Sequence, residues 1–308
     1  MEGREPELRL FDSSEELDSC FADYVYQISE SAVNERGSFS LVISGGDMAN
    51  RLGFLIFPYS FLFFIFHTKA WSFIRILFKF LLKYHFVKYL FFSYMYLLCR
   101  KLTRPPFLKT VDWSKWHVFW AEENVVPDKR HPDSFYRQAA EAFISKVPIM
   151  PTHVVSVRHG VPGESAANGY EFSIRQQVRR RTVPVSPSSD CPRFDLVLLN
   201  LGNNCHVASL YPNHPVLEED SQWVACVSSD ASRESVTLTL PVINAAANVA
   251  IVASGNDVAR SFSHVMMEPK ADEPYPAQLV GPKDGKLVWF VDAAAASLFL
   301  HGHGTSAT

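Results

Sequence analysis

The residues of this chain best placed to do chemistry stand in three short turns. His206 ends the segment LGNNCH (Leu201–His206), just after the most apolar run of the sequence. A histidine on such a loop can relay a proton near neutral pH, or can serve only as a hydrogen-bonded structural residue. Cys205 beside it is not thereby a Cys–His dyad, because adjacency in sequence is not the spatial arrangement a thiolate nucleophile needs. Glu122 and Glu123 form a carboxylate pair suited to acid–base work. Neighbours on extended chain point to opposite faces, so at most one of them faces a cleft, and both could equally be solvated loop acids. Gly45-Gly46 follows FSLVIS and could bring backbone N–H groups up to a phosphate, or could be a plain tight turn.

These turns need elements to hold them. Leu17, Cys20, Phe21, Tyr24, Val25 and Ile28 recur at helical spacing behind a cap at Asp12-Ser13-Ser14, which predicts an opening helix over Ser13–Ser31. Apolar runs predict strands at Phe39–Gly46, Trp116–Glu123, His153–Val157, Phe194–Gly202, Ser235–Asn244, Asn248–Gly255 and Lys286–Asp292. Helices are expected over Asp133–Lys146 and Ala166–Arg179, at VASLYP after His206, and in the Ala-rich stretch after Asp292. Strands apolar along most of their length, alternating with helices, imply an α/β protein, a mostly parallel sheet between two helical layers. In such sheets ligands bind at the carboxyl ends of the strands, where all three turns sit.

Composition narrows the function classes. A net charge of −3 gives none of the positive field that a nucleic-acid binder uses. Five cysteines without a C-x-x-C pair suggest a reducing compartment, with neither a zinc site nor a disulfide framework. The opening MEGREPELRLFDSSEELD has the features of neither a secretory signal nor a transit peptide, so a cytoplasmic protein is expected. His301 and His303 read as part of a flexible tail over 301–308, not as metal ligands.

One block departs from the average. Phe54–Arg100 holds 47 residues with no Asp or Glu, six Lys or Arg, and twelve of the 24 Phe. Its most apolar part, Gly53–Phe66, is shorter than the ~20 residues a spanning helix needs. Arg75, Lys79 and Lys83 recur every four residues, as on a membrane-surface helix. The acid-free, abruptly bounded composition is also that of translated non-coding sequence such as a retained intron. Hence the expected organisation is a single domain over 1–53 and 101–300, interrupted by a hydrophobic insertion over 54–100.

Taken together, GSFSLVISGG (Gly37–Gly46), VDWSKWHVFWAEENVVP (Val111–Pro127), HPDSFY (His131–Tyr136), FISKVPI, FDLVLLNLGNNCHVASLYPNHP (Phe194–Pro215), TLTLPVIN and DGKLVWFVD resemble the 6-phosphogluconolactonase family, particularly its plant members. VASLYPNHP is similar to the lactonases rather than to the related glucosamine-6-phosphate deaminases. The resemblance implies a three-layer α/β/α fold. It further implies hydrolysis of 6-phosphoglucono-δ-lactone to 6-phosphogluconate in the oxidative pentose phosphate pathway, with no metal or other cofactor. By resemblance His206 is the base that activates water, Asn204 and Glu122 complete the catalytic set, and Gly45, Gly46, Glu123, Asn124 and Ser235 line the substrate site.

Departures from the family pattern accompany the match. Asp-Glu-Arg becomes Glu122-Glu123-Asn124, Asp-Gly-His becomes Asn204-Cys205-His206, and Ser-Asn-Tyr becomes Ser134-Phe135-Tyr136. Ser235 and Val258 stand where an arginine and a lysine are expected, and Asp47 follows the glycine pair. Each charge-assisted bond contributes ~1.5–3 kcal/mol, so losing two or three cations and adding one anion is expected to weaken phosphate binding by roughly thousands-fold or more. The expectation is a lactonase of reduced activity, or a relative that keeps the fold without the catalysis.

Overall fold

The computed structural model describes residues 5–45, 102–230, 233–267 and 273–303. The Phe-rich block, Gly46 and Asp47 lie outside them.

Six strands form one sheet: β1 (Glu7–Phe11), β2 (Phe39–Ile43), β3 (Trp116–Trp120), β5 (Leu196–Asn200), β8 (Asn248–Ala253) and β9 (Lys286–Asp292). Their order is β1-β9-β8-β5-β2-β3, and every pairing is parallel. Two neighbours on β9 show how both faces are covered. The Phe290 ring packs on Phe21 and Tyr24 of α1 (Ser14–Arg36). Trp289 meets Phe262 of α5 (Ala259–Met267), which in turn meets Phe299 of α6 (Ala293–His303). Successive strand residues point to opposite faces, so α1 and the α5/α6 pair form separate layers. The expected three-layer architecture is what the chain adopts.

Several local expectations are corrected. The run Trp116–Glu123 is not one strand. β3 ends at Trp120, and after Ala121 the chain enters β4 (Glu122–Asn124) in a second sheet, ordered β4-β7-β6 and antiparallel. The Tyr170 hydroxyl, on α3 (Gly163–Arg179), accepts from Trp120 N at 2.7 Å and donates to Trp120 O at 2.9 Å, satisfying the backbone where the strand leaves. β4 pairs with β7 (Arg233–Leu238), whose other edge pairs with β6 (Val224–Asp230), a strand that hydrophobic periodicity does not reveal.

Ser235–Asn244 splits as well. Its strand stops at Leu238, and α4 (Leu240–Asn244) carries Pro241 in its first turn, a position that needs no N–H. His153–Val157 makes only a lone bridge between Val154 and Val118, and Pro151–His153 is a 3₁₀ turn. The helix expected over Asp133–Lys146 shortens to α2 (Phe135–Ala142) plus a 3₁₀ turn. VASLYP starts no helix. It is a tight turn bridging Val207 to Leu210, with Ala208 at a positive φ of 48°. β1 has no counterpart among the expected strands, and the last helix continues through His303, three residues into the expected flexible tail.

Candidate active site

Glu122 organises the rim of the sheet. It is buried, and both of its oxygens are engaged: Ser44 Oγ donates at 2.6 Å and Ser209 Oγ at 2.7 Å. Ser44 follows β2 directly, and Ser209 lies three residues beyond His206. One carboxyl group therefore ties the Gly45 turn to the histidine loop, and the Gly45 N–H adds a third bond. Burial pushes this carboxyl up, and the neighbouring Glu123 pushes in the same direction. The serine and backbone bonds pull it down.

Glu123 points the other way, as alternation requires. Its carboxylate accepts from Phe135 N and Tyr136 N, both at 2.7 Å, and from Asn124 N at 3.0 Å. Ser134 Oγ lies at 3.4 Å and His159 Nε2 at 3.3 Å. An anion that gathers the first N–H groups of α2 caps that helix and complements its dipole. Neither glutamate is thus a solvated loop acid. The turn between them and α2 is polar in sequence but folds back to enclose them.

The histidine loop leaves β5 and closes on itself through Gly202 N to His206 O at 2.9 Å and Cys205 N to Gly202 O at 3.1 Å. The imidazole lies against Gly202, where an added Cβ would meet the ring at 1.9 Å, so glycine is required there for space. His206 Nδ1 bonds the Asn204 amide oxygen. With Nδ1–H as donor, this bond selects the tautomer whose basic lone pair is on Nε2. Cys205 holds a left-handed backbone, φ 64°, which favours glycine. Its buried Sγ donates to Ser261 O at 3.6 Å, fixing the loop to α5.

The remaining expected site residues fall around this centre. Asn200 Nδ2, at the end of β5, donates to Gly45 O at 3.3 Å. Gly45 is buried, and with its N–H given to Glu122 its polar groups are spent within the protein. Asn124 and Ser235 are cross-strand neighbours on β4 and β7, and Asn124 Nδ2 donates to Asp133 O at 2.8 Å. The two places where the family pattern leads one to expect arginine are therefore a single spot in space. Ser44, Ser209 and His159 are not marked by the sequence. Serines are too common to signal a role, and the partner of His159 lies 36 positions away. Among the described residues no helix is long and apolar enough to cross a membrane, and no group of three or more His, Cys, Asp or Glu is placed to hold a metal ion.

A doubly covered parallel sheet whose carboxyl rim carries a histidine loop joined through Glu122 to the segment Ser44–Gly45 defines an α/β protein of the kind that binds ligands at that rim. The profile described as glucosamine-6-phosphate isomerases/6-phosphogluconolactonase matches residues 93–289. A relative from Oryza sativa subsp. japonica, named probable 6-phosphogluconolactonase 1, is 42% identical over 297 residues, covering 94% of this chain and 84% of its own. Another with the same name, from Arabidopsis thaliana, is 39% identical and covers 94% and 92%. In fold the chain is similar to the 6-phosphogluconolactonase of Thermotoga maritima, with a TM-score of 0.63 at 20% identity, covering 94% of this chain and 100% of that one. The Trypanosoma brucei enzyme gives 0.68 at 17%, covering 96% and 98%. The chain belongs to the glucosamine-6-phosphate isomerase/6-phosphogluconolactonase family.

Proposed function

We propose that the chain hydrolyses 6-phosphoglucono-δ-lactone to 6-phosphogluconate. His206 Nε2 takes a proton from water as its oxygen attacks the lactone carbonyl. The tetrahedral intermediate collapses with cleavage of the bond between the carbonyl carbon and the ring oxygen, which receives the proton from the imidazolium. Asn204 holds the ring through Nδ1 and steadies the cation with an amide dipole rather than a full charge. Glu122 acts as a positioning residue, keeping the histidine loop and the Gly45 turn in register. The glycine pair Gly45-Gly46 helps hold the substrate phosphate in this reading, as the family resemblance implies. Asn124 and Ser235 line the neighbouring wall as neutral donors, and Glu123 acts on the site through α2. The working compartment in this proposal is the cytoplasm, although some relatives are named chloroplastic.

The observation that carries this function is the Ser44–Glu122–Ser209 bridge in a member of this family. The test is hydrolysis by the purified chain after subtraction of spontaneous lactone opening, beside His206→Ala. A rate equal to the spontaneous one, or a rate that His206→Ala leaves unchanged, refutes it.

A further inference from the structure

Phe135 lies where a glycine of the rim has no alternative. A Cβ built on Gly45 would sit 2.0, 2.1 and 2.4 Å from three carbons of the Phe135 ring. Gly45 does not have a positive φ, so no left-handed backbone calls for glycine there, and the nearest obstacle to a side chain is the Phe135 ring. The ring cannot readily move aside. It is 5% exposed, and its own N–H and that of Tyr136 are gripped by Glu123 at 2.7 Å each. Glu123 is in turn enclosed by Ser134 and His159. From the other side Asn200 holds the Gly45 carbonyl, and Glu122 its N–H. The turn is thus bonded on two sides and stopped by an aromatic face on the third.

From this we infer that Phe135 is a positioning residue for substrate binding. Its ring, fixed through the Glu123–His159 anchor, sets where the Gly45 turn stands and hence how tightly the site holds a sugar phosphate, with no part in proton transfer. The inference rests on the proposed function for the identity of the ligand and for the part of the Gly45 turn in holding it.

The experiment is a double-mutant cycle of wild type, Gly45→Ala, Phe135→Ala and Gly45→Ala/Phe135→Ala, with Phe135→Leu as a milder variant. Calorimetric binding of 6-phosphogluconate, lactone turnover and thermal midpoints are measured for each. Phe135→Ala is expected to raise KM and Kd about tenfold, a typical effect of one lost ordering contact, with kcat within about threefold. Phe135→Leu should fall between it and wild type. The decisive result is the order within the cycle. The double variant should bind more tightly, and melt higher, than Gly45→Ala alone, because removing the ring makes room for the new methyl. A double variant no better than Gly45→Ala overturns the inference, as does a Phe135→Ala effect confined to kcat. A wild-type chain that binds 6-phosphogluconate without turning over the lactone would refute the hydrolytic reading instead, leaving the order of the Kd values to decide this one. Absence of both binding and turnover would overturn both.

Discussion

Asp18 offers a test of the energetics. It lies on the inward side of α1, 2% exposed, with no hydrogen-bond partner for either side-chain oxygen. Burial, aided by the charges of Glu15 and Asp292, pushes its carboxyl from 3.8 up to about 9. The unfolded chain gives up this proton near 3.8, whereas the folded protein keeps it until about 9. Between those values the folded state binds the extra proton, so its stability falls as pH rises. The slope is about 1.4 kcal/mol per pH unit, which accumulates to ~4 kcal/mol at pH 7 as an upper bound, because local relaxation and water entry reduce it. Asp18→Asn keeps the shape and cannot ionise. It should gain ~2–4 kcal/mol at pH 7, which at ~2–4 °C per kcal/mol is a rise of roughly 4–16 °C in Tm. Urea unfolding at pH 5.5, 7 and 8.5 measures this directly, with an unchanged m-value showing that stability alone has moved. Glu122 adds a slope of the same sign, which the variant retains, so the slope should shrink rather than vanish. Parallel stability–pH lines for the two proteins, or an Asp18→Asn variant less stable at pH 8.5, would refute the reasoning.

The other expectations concern the rim and the sheet edge. His206→Ala should lower kcat by about 10²–10⁴, the usual contribution of a general base, as read by initial rates above the spontaneous reaction. Glu122→Gln keeps the shape but cannot accept from both serines. The amide nitrogen then faces one serine oxygen, and leaving that buried hydroxyl's proton without its acceptor, at ~1–3 kcal/mol, should lower kcat/KM between about fivefold and 150-fold; a variant with wild-type kinetics would refute the clamp. Cys205→Val puts a β-branched side chain at φ 64° and should lower the thermal midpoint by several degrees, whereas Cys205→Gly, which gives up the bond to Ser261 but relieves the left-handed backbone, should lower it by less. His117, stacked on His153 at the sheet edge, is lowered by burial and by that neighbour to about 4. Its neutral form therefore contributes stability at pH 7 that is lost as pH falls from about 6.5 toward 4, and denaturant midpoints of His117→Gln should lack that acid-side decline.

Much of the α/β layout was legible because parallel strands buried on both faces must be apolar throughout. Phe194–Gly202 and Lys286–Asp292 announce themselves for that reason, and their flanking turns mark the rim. The second sheet was not legible. β6 and β7 are antiparallel and mixed in polarity, and β4 has only three residues, too few to show a period. Pro241 falls inside an expected strand although it opens a helix, since proline marks a boundary without specifying the element beyond it. The candidate site was half visible. His206, Glu122 and Gly45 could be marked as chemistry-bearing residues at strand ends, but their mutual relation could not.

Residue order alone settled the doubly covered sheet, a glycine just beyond one of its strands, and a histidine immediately beyond the most apolar strand, because hydrophobic period and residue type are local properties. Which carboxylate joins the loops was decided only when the chain packed. Glu122 and Glu123 are adjacent and chemically identical. The turn of the backbone from β3 into β4 directs one toward Ser44 and Ser209 and the other toward the start of α2. Those partners lie between 11 and 87 positions away, and only folding gives such separations a distance.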